Sequence, residues 1–207
     1  MPLIDVSLAV GNITLPSQTC RFLREAERRI DEFQRAASIP GFVPSDFRLA
    51  HAVLRDLVAT ELAPGNLFCE WGSGFGVVAC LAAMLGFDAC GIEIEPDLVD
   101  AAQELADDFD LPVRFVNGSF ISEAANSCFD DNESFAWLTT DANYPFEQLG
   151  LEPDDFDVVF AYPWPDEEQV TDRVFERCAA QGAVLVTYHG ADTFRQRRKT
   201  GNHRRRD

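Results

Sequence analysis

Glu70-Trp71-Gly72-Ser73-Gly74-Phe75-Gly76 follows directly on the apolar run Leu67-Phe68-Cys69 and leads into the apolar segment Val77–Leu85. Three glycines at alternate positions let the chain turn sharply after a buried strand. They also leave main-chain N–H groups open to a ligand, with no β-carbon in the way. The spacing is GxGxG, unlike the GxGxxG of dinucleotide sites that hold a pyrophosphate over a helix N-terminus. Glu70 heads the turn, and a second acidic residue closes the next apolar run in Gly91-Ile92-Glu93-Ile94-Glu95-Pro96. A carboxylate at that point, about 20 residues on, can accept both hydroxyls of a ribose.

Working outward, the chain alternates short apolar runs with amphipathic helices. Ala89–Ile94 is expected as a second strand, and Pro96-Asp97 opens a helix whose Leu98, Ala102, Leu105 and Phe109 share a stripe. Val113–Val116, Phe156–Ala161 and Ala183–Tyr188 read as further strands, with a helix over Glu167–Ala180. Upstream, one helix follows Pro16-Ser17 and a second follows Ser45, the latter ended by Pro64-Gly65. Strands without strict alternation, separated by helices, predict a doubly wound α/β domain with a mostly parallel sheet of five core strands. The residues after Gly190 are too polar to suggest more, so C-terminal strands are expected to be reduced or missing. The organisation that follows is an N-terminal helical extension over 1–41, a Rossmann-like domain over 42–190, and a basic, flexible tail over 191–207. The connection 118–155 holds helix candidates at 120–129 and 134–140 and the aromatics Trp137 and Tyr144. It reads either as a recognition element or as an elaborated crossover.

Strand, acid, GxGxG, helix, strand and acid, in that order, resemble the class I S-adenosylmethionine-dependent methyltransferases over roughly 42–190. The resemblance implies methyl transfer from S-adenosyl-L-methionine. It places Glu70 beside the methionine portion, Gly72, Ser73, Gly74 and Gly76 along the cofactor wall, Glu93 on the ribose and Ile94 on the adenine face. Ser119 stands where an aspartate commonly reads the adenine amino group, and Phe120 is positioned to stack on adenine. Ala161-Tyr162-Pro163-Trp164-Pro165 corresponds to the segment that carries Asp/Asn-Pro-Pro-aromatic in amino-methylating relatives. The leading Asp or Asn is absent, so DNA adenine methylation loses support. Tyr162 and Trp164 are the candidates for presenting the acceptor, by lining a slot or by cation–π contact; packing of a rigid strand end is the competing role. Phe42-Val43-Pro44-Ser45 is similar to the entry segment of small class I lysine methyltransferases.

The 207 residues carry 35 acidic and 17 basic side chains, a formal net charge of -18. That balance argues against a general grip on nucleic acid. Residues 191–207 are +5 and the remainder -23, which suits a solvated acidic surface or a basic acceptor such as an amine or a protein lysine. No apolar run reaches the roughly 18 residues of a membrane helix, and the N-terminus lacks the form of a signal peptide. Six cysteines show no CxxC and no metal-like spacing, so reduced thiols in a cytoplasmic protein and no metal site are expected. The acceptor, small molecule or protein, is unidentified, as is the oligomeric state. His189 reads as a proton acceptor or an ordinary loop histidine, and His51 as surface or interhelical packing. A non-catalytic Rossmann-like module and, less favoured by the glycine spacing, an NAD-dependent oxidoreductase are the rival functions.

Overall fold

The computed structural model describes residues 2–8, 13–36, 39, 41–121, 144–165 and 167–201. A short strand β1 (Leu3–Asp5) precedes helices α1 (Ser17–Ala36) and α2 (Phe47–Ala59). Then come β2 (Leu67–Trp71), α3 (Val77–Met84), β3 (Asp88–Glu93), α4 (Pro96–Asp108), β4 (Arg114–Asn117) and the short helix α5 (Phe146–Leu149). β5 (Val158–Ala161), α6 (Glu168–Cys178), β6 (Val184–Tyr188) and β7 (Phe194–Lys199) complete the order. The seven strands lie in the order β1-β7-β6-β5-β2-β3-β4. β2 to β6 are parallel, as the buried apolar runs predict, with Trp71 opposite both Ile92 and Ala161. Strand order reverses at β2, with β3 and β4 added on one side and β5 and β6 on the other, and open α/β sheets take their ligands at such a switch point.

Helices cover both faces. Phe22 and Leu23 of α1, Leu57 of α2, Leu81 of α3 and Leu105 of α4 pack with Phe68, Phe160 and Val186. On the opposite face Phe146 of α5 and Val174 and Phe175 of α6 pack with Cys69, Ile92, Val159 and Leu185. Successive strand residues thus feed opposite clusters, the period of two that a two-sided core demands. Asp46 caps α2 by accepting from Leu49 N at 2.8 Å, one residue later than the serine after which the sequence suggests the helix begins. α1 is held by the Phe22–Phe109 edge contact at 5.1 Å and by the Arg29–Asp108 ion pair. His51 is buried in α2 and packs internally, and burial lowers its pKa. Cys20, Cys69, Cys80, Cys90 and Cys178 are free thiols. Among the described residues no helix is long and apolar enough to cross a membrane.

Two strands in antiparallel pairings extend the parallel sheet, where the sequence suggests C-terminal strands that are reduced or missing. Phe194–Lys199, expected in a flexible tail, pair with β6 as β7, and Leu3–Asp5 of the expected helical extension pair with β7 as β1. The cause is charge pairing, which hydropathy does not register. Arg197 is buried against Asp172, the Lys199 ammonium donates to the Ala179 carbonyl, and Arg198 Nε donates to Gly182 O at 3.1 Å. Arg195 makes two bonds to Asp5, at 2.7 and 3.1 Å, which join β7 to β1. The β6–β7 turn hides its signal as well. Thr193 N donates to Gly190 O at 2.9 Å, and the central pair Ala191 and Asp192 sit at φ 45° and 59°. A type I′ turn requires that geometry and ordinarily advertises it with Asn-Gly. Beyond Ile121, the helix candidates of the 118–155 connection and Trp137 lie outside the described residues.

Candidate functional site

A cleft of about 610 Å³ opens beyond the carboxyl ends of β2, β3 and β5. Its floor is the glycine turn. Gly72 N and Ser73 N both donate to Ile92 O, at 2.9 and 3.0 Å, and Gly76 N donates to Ser73 O at 2.7 Å. Gly72, Gly74 and Gly76 have φ of 68°, 51° and 66°, conformations that side chains rarely adopt. The three are not equivalent. A β-carbon on Gly76 would lie 2.2 Å from the Phe115 ring, whereas one on Gly72 would meet nothing within 4 Å. Gly76 is therefore glycine for packing as well as for its angle. Gly72 leaves a cradle at the cleft wall that a methyl group would fill.

The two glutamates that the sequence singles out are already engaged with backbone. Glu70, 5% exposed, accepts from Ala79 N at 2.8 Å. Gly76 has no side chain with which to cap α3, so a carboxylate from the preceding strand does so. Burial drives the Glu70 pKa well above the usual carboxylate range; the Ala79 N–H opposes this and the nearby Glu93 adds to it. Glu93, 8% exposed, uses Oε1 to accept from Ile94 N (2.8 Å) and Glu95 N (3.0 Å), and Oε2 to accept from Gly74 N at 2.8 Å. Burial raises its pKa too, against those three N–H groups. A carboxylate has about four acceptor positions, so Glu93 ties the glycine turn to the end of β3 and retains capacity on Oε2. Asn117, which carries no sequence signal, supports the same corner: its Nδ2 donates to Glu93 O at 3.1 Å and Ile94 O at 2.8 Å.

Of the remaining predicted residues, Gly72, Ser73, Gly74, Ile94, Phe120, Tyr162 and Trp164 line the cleft with Glu70 and Glu93. Ile94 is 38% exposed there, an apolar surface available for stacking. Ser73 Oγ and Trp71 Nε1 are buried with no hydrogen-bond partner among the described residues, an arrangement that a polar ligand would relieve. Gly76 and Ser119 do not line it: Gly76 packs against Phe115, and Ser119 Oγ accepts from Ile121 N at 3.1 Å. Phe120 stacks on Trp71 at 4.7 Å and 6°, so one of its faces is already taken. Tyr162 meets Tyr188 edge-on at 4.7 Å. His189 stands away from the cleft lining, bonded to Thr187 Oγ1 (2.8 Å) and Glu168 Oε1 (2.9 Å), and so ties the start of α6 to the end of β6.

Sequence reading missed two contributors. The strap Phe42–Ser45, quoted above only for a likeness, forms a wall of the cleft, with Phe42 and Phe33 packed on Phe75 at 5.8 and 5.3 Å. Glu167, 5% exposed, lines the end nearest Tyr162 and Trp164. Its one sequence signal is its place in the acidic pair Asp166-Glu167 that follows Pro-Trp-Pro at a strand end. The cleft has a one-sided charge: Glu70, Glu93, Glu95 and Glu167 line it, and among the described lining residues there is no Lys, Arg or His.

Solved structures share this architecture. An RNA methyltransferase from Salinibacter ruber, in complex with S-adenosyl-L-homocysteine, superposes with a TM-score of 0.51 at 19% identity, covering 76% of this chain and 93% of that one. A methyltransferase from Geobacter sulfurreducens gives 0.52 at 15% identity over 89% and 98% of the two chains. The fold is that of class I methyltransferases. An O-methyltransferase from Bacillus cereus, also in complex with S-adenosyl-L-homocysteine, gives 0.50 at 17% identity over 84% and 67%. No protein-family model matches the sequence, and no curated protein matches it.

Proposed function

We propose that the protein is an S-adenosyl-L-methionine-dependent methyltransferase acting on a basic acceptor. The observation that carries the cofactor half is the corner of Glu93, Gly72 and Ser73: a carboxylate with spare capacity, an open glycine cradle and an unpartnered buried hydroxyl on one wall. In this reading Glu93 Oε2 accepts from a ribose hydroxyl, Ile94 lies on the adenine, and Phe120 presents its free edge to it. Gly72, Ser73 and Gly74 run along the methionine portion, while Glu70 and Gly76 hold the turn and α3 in place. When bound, S-adenosyl-L-methionine would supply an electrophilic methyl group on a sulfonium to the lone pair of an acceptor. The protein's part is then to position the acceptor and exclude water. Tyr162 and Trp164 are the side chains proposed to do so.

The basic acceptor rests on charge. An anionic substrate would enter a cleft with four glutamates and, among the described lining residues, no cation to meet it. The connection 118–155 adds nine acidic residues and no basic one in sequence. Titration calorimetry with S-adenosyl-L-methionine, S-adenosyl-L-homocysteine and NAD tests the cofactor. Both sulfur nucleotides are expected to bind and NAD not to. Glu93→Ala should weaken both by about 12- to 150-fold, the worth of a charged hydrogen bond of ~1.5–3 kcal/mol. Full affinity in that variant removes Glu93 from the ribose, and NAD binding alone returns the oxidoreductase reading.

A further inference from the structure

We infer that the Trp71 indole N–H is a recognition point for the methyl acceptor, donating to the carbonyl oxygen of an uncharged amide that the acceptor carries beside its basic nitrogen. The inference deepens the methyltransferase reading above and rests on it for the identity of the cleft.

Among the described residues, two cleft-lining side chains hold a buried polar atom without a hydrogen-bond partner, Ser73 and Trp71. Ser73 lies on the glycine turn, along the run proposed for the cofactor. Trp71 ends β2, is 3% exposed, and belongs to the other side of the sheet from Phe75 and Val77. It packs there with Ile92 and Ala161, its register partners on β3 and β5, in the cluster that α6 covers. Phe120 stacks on the indole at 4.7 Å and 6°, and Phe175 of α6 meets it at 6.2 Å and 63°. The two rings fix the indole plane, so its N–H keeps one direction.

An indole N–H only donates, so its complement is a hydrogen-bond acceptor. An ammonium has no acceptor atom and cannot serve. A carboxylate has one, but Glu70, Glu93, Glu95 and Glu167 line the same cleft and repel it. An uncharged oxygen remains. Thr171 lines the cleft one helical turn before Phe175, on the face of α6 that meets Trp71. It is buried, and its hydroxyl donates to the Glu167 carbonyl at 3.3 Å, which leaves its lone pairs to accept an N–H. A donor from β2 with an acceptor from α6 complements the C=O and N–H of an amide. A buried donor left unpaired carries its full desolvation cost. A ligand that supplies the oxygen is therefore favoured over one of similar shape that lacks it.

The test uses the full chain, isotope-labelled at tryptophan nitrogen and loaded with S-adenosyl-L-homocysteine. It is titrated at neutral pH with aminocaproamide, aminohexanol and hexylamine, and with a blocked lysine amide. Trp137→Phe and Trp164→Phe identify the Trp71 N–H resonance by elimination. One amide or the other is expected to bind about fivefold or more tightly than hexylamine and the alcohol, and to move that resonance downfield. Aminocaproamide binding indicates a small molecule as source, and binding of the lysine amide alone indicates a peptide. Trp71→Phe keeps a ring against Phe120 without the donor, so it should lose the amide preference while binding hexylamine as the wild type does. Amides that bind the wild type no more tightly than hexylamine or the alcohol overturn the inference, whether or not the variant folds. So does amide binding that leaves the Trp71 resonance unmoved, or an amide preference that survives in Trp71→Phe. Failure of the wild type to bind S-adenosyl-L-homocysteine falls on the cofactor reading, and the amide comparison on the unloaded chain then decides this inference.

Discussion

Gly72 and Gly76 share a backbone angle and differ in their surroundings, so alanine at each separates folding from binding. At Gly76 the substitution meets two costs. An L-residue in the left-handed region costs about 1–2 kcal/mol. The new methyl lies 2.2 Å from Phe115 Cζ and 3.0 Å from Ala102 Cβ, in a wall where overpacking costs about 1–3 kcal/mol. Together they remove about 2–5 kcal/mol, or roughly 5–20 °C in the midpoint of a chain of this size. At Gly72 only the backbone cost applies, since the methyl meets no protein atom within 4 Å. The loss should be about 1–2 kcal/mol, roughly 2–8 °C. That same methyl stands in the cradle proposed for the cofactor, and an intrusion of the usual overpacking size weakens S-adenosyl-L-homocysteine by about 5- to 150-fold. Urea unfolding with an unchanged m-value gives the stabilities, and calorimetry on folded protein gives the affinities. Equal destabilisation by the two variants would refute the packing argument. Wild-type affinity in Gly72→Ala would refute the cradle.

Two further variants test what holds the site and the sheet edge. Because burial raises the Glu70 pKa, its contribution to stability is fully present below the ordinary carboxylate value and is lost as pH rises through the folded one. Glu70→Gln keeps an oxygen for Ala79 N without the charge, so its unfolding free energy should overtake that of the wild type progressively as pH rises above the ordinary carboxylate range. Glu70→Ala should be about 2–4 kcal/mol worse than either, having lost the cap and left a void; parallel pH curves for wild type and Glu70→Gln would rule out the buried-charge account. Asp172→Ala strands the buried Arg197 guanidinium and should cost about 3–5 kcal/mol, whereas replacing the pair by Arg197→Met and Asp172→Leu should restore most of it. A double variant as unstable as the single one would mean that β7 is not held by this pair.

The legible parts of the molecule are those where one signal suffices. Leu67–Cys69 and Val158–Ala161 are strands because buried apolar runs of that length admit little else, and the glycine turn follows from its spacing. Phe194–Lys199 is illegible for the opposite reason: its burial depends on Asp172, Asp5 and the Ala179 and Gly182 carbonyls, which lie elsewhere in the chain. The Ala191-Asp192 turn carries a backbone geometry that its composition conceals. Within the site, glycines and acids that follow strands are visible, and Asn117 is not, because its work is done on main-chain oxygens. Ser119 shows the limit of correspondence by position: the hydroxyl stands at the expected place in the chain yet bonds its own loop.

An acid at a strand end serves the fold before it serves a ligand. Glu70 and Glu93 are each read as cofactor contacts, yet their hydrogen bonds run first to Ala79, Gly74, Ile94 and Glu95. Each turn needs an acceptor for N–H groups that glycine cannot satisfy with a side chain of its own, so a carboxylate there is required by the fold before any ligand arrives. Ligand recognition must then use what the fold leaves over: one side of Glu93 Oε2, the Ser73 hydroxyl, the Gly72 cradle and the aromatic walls.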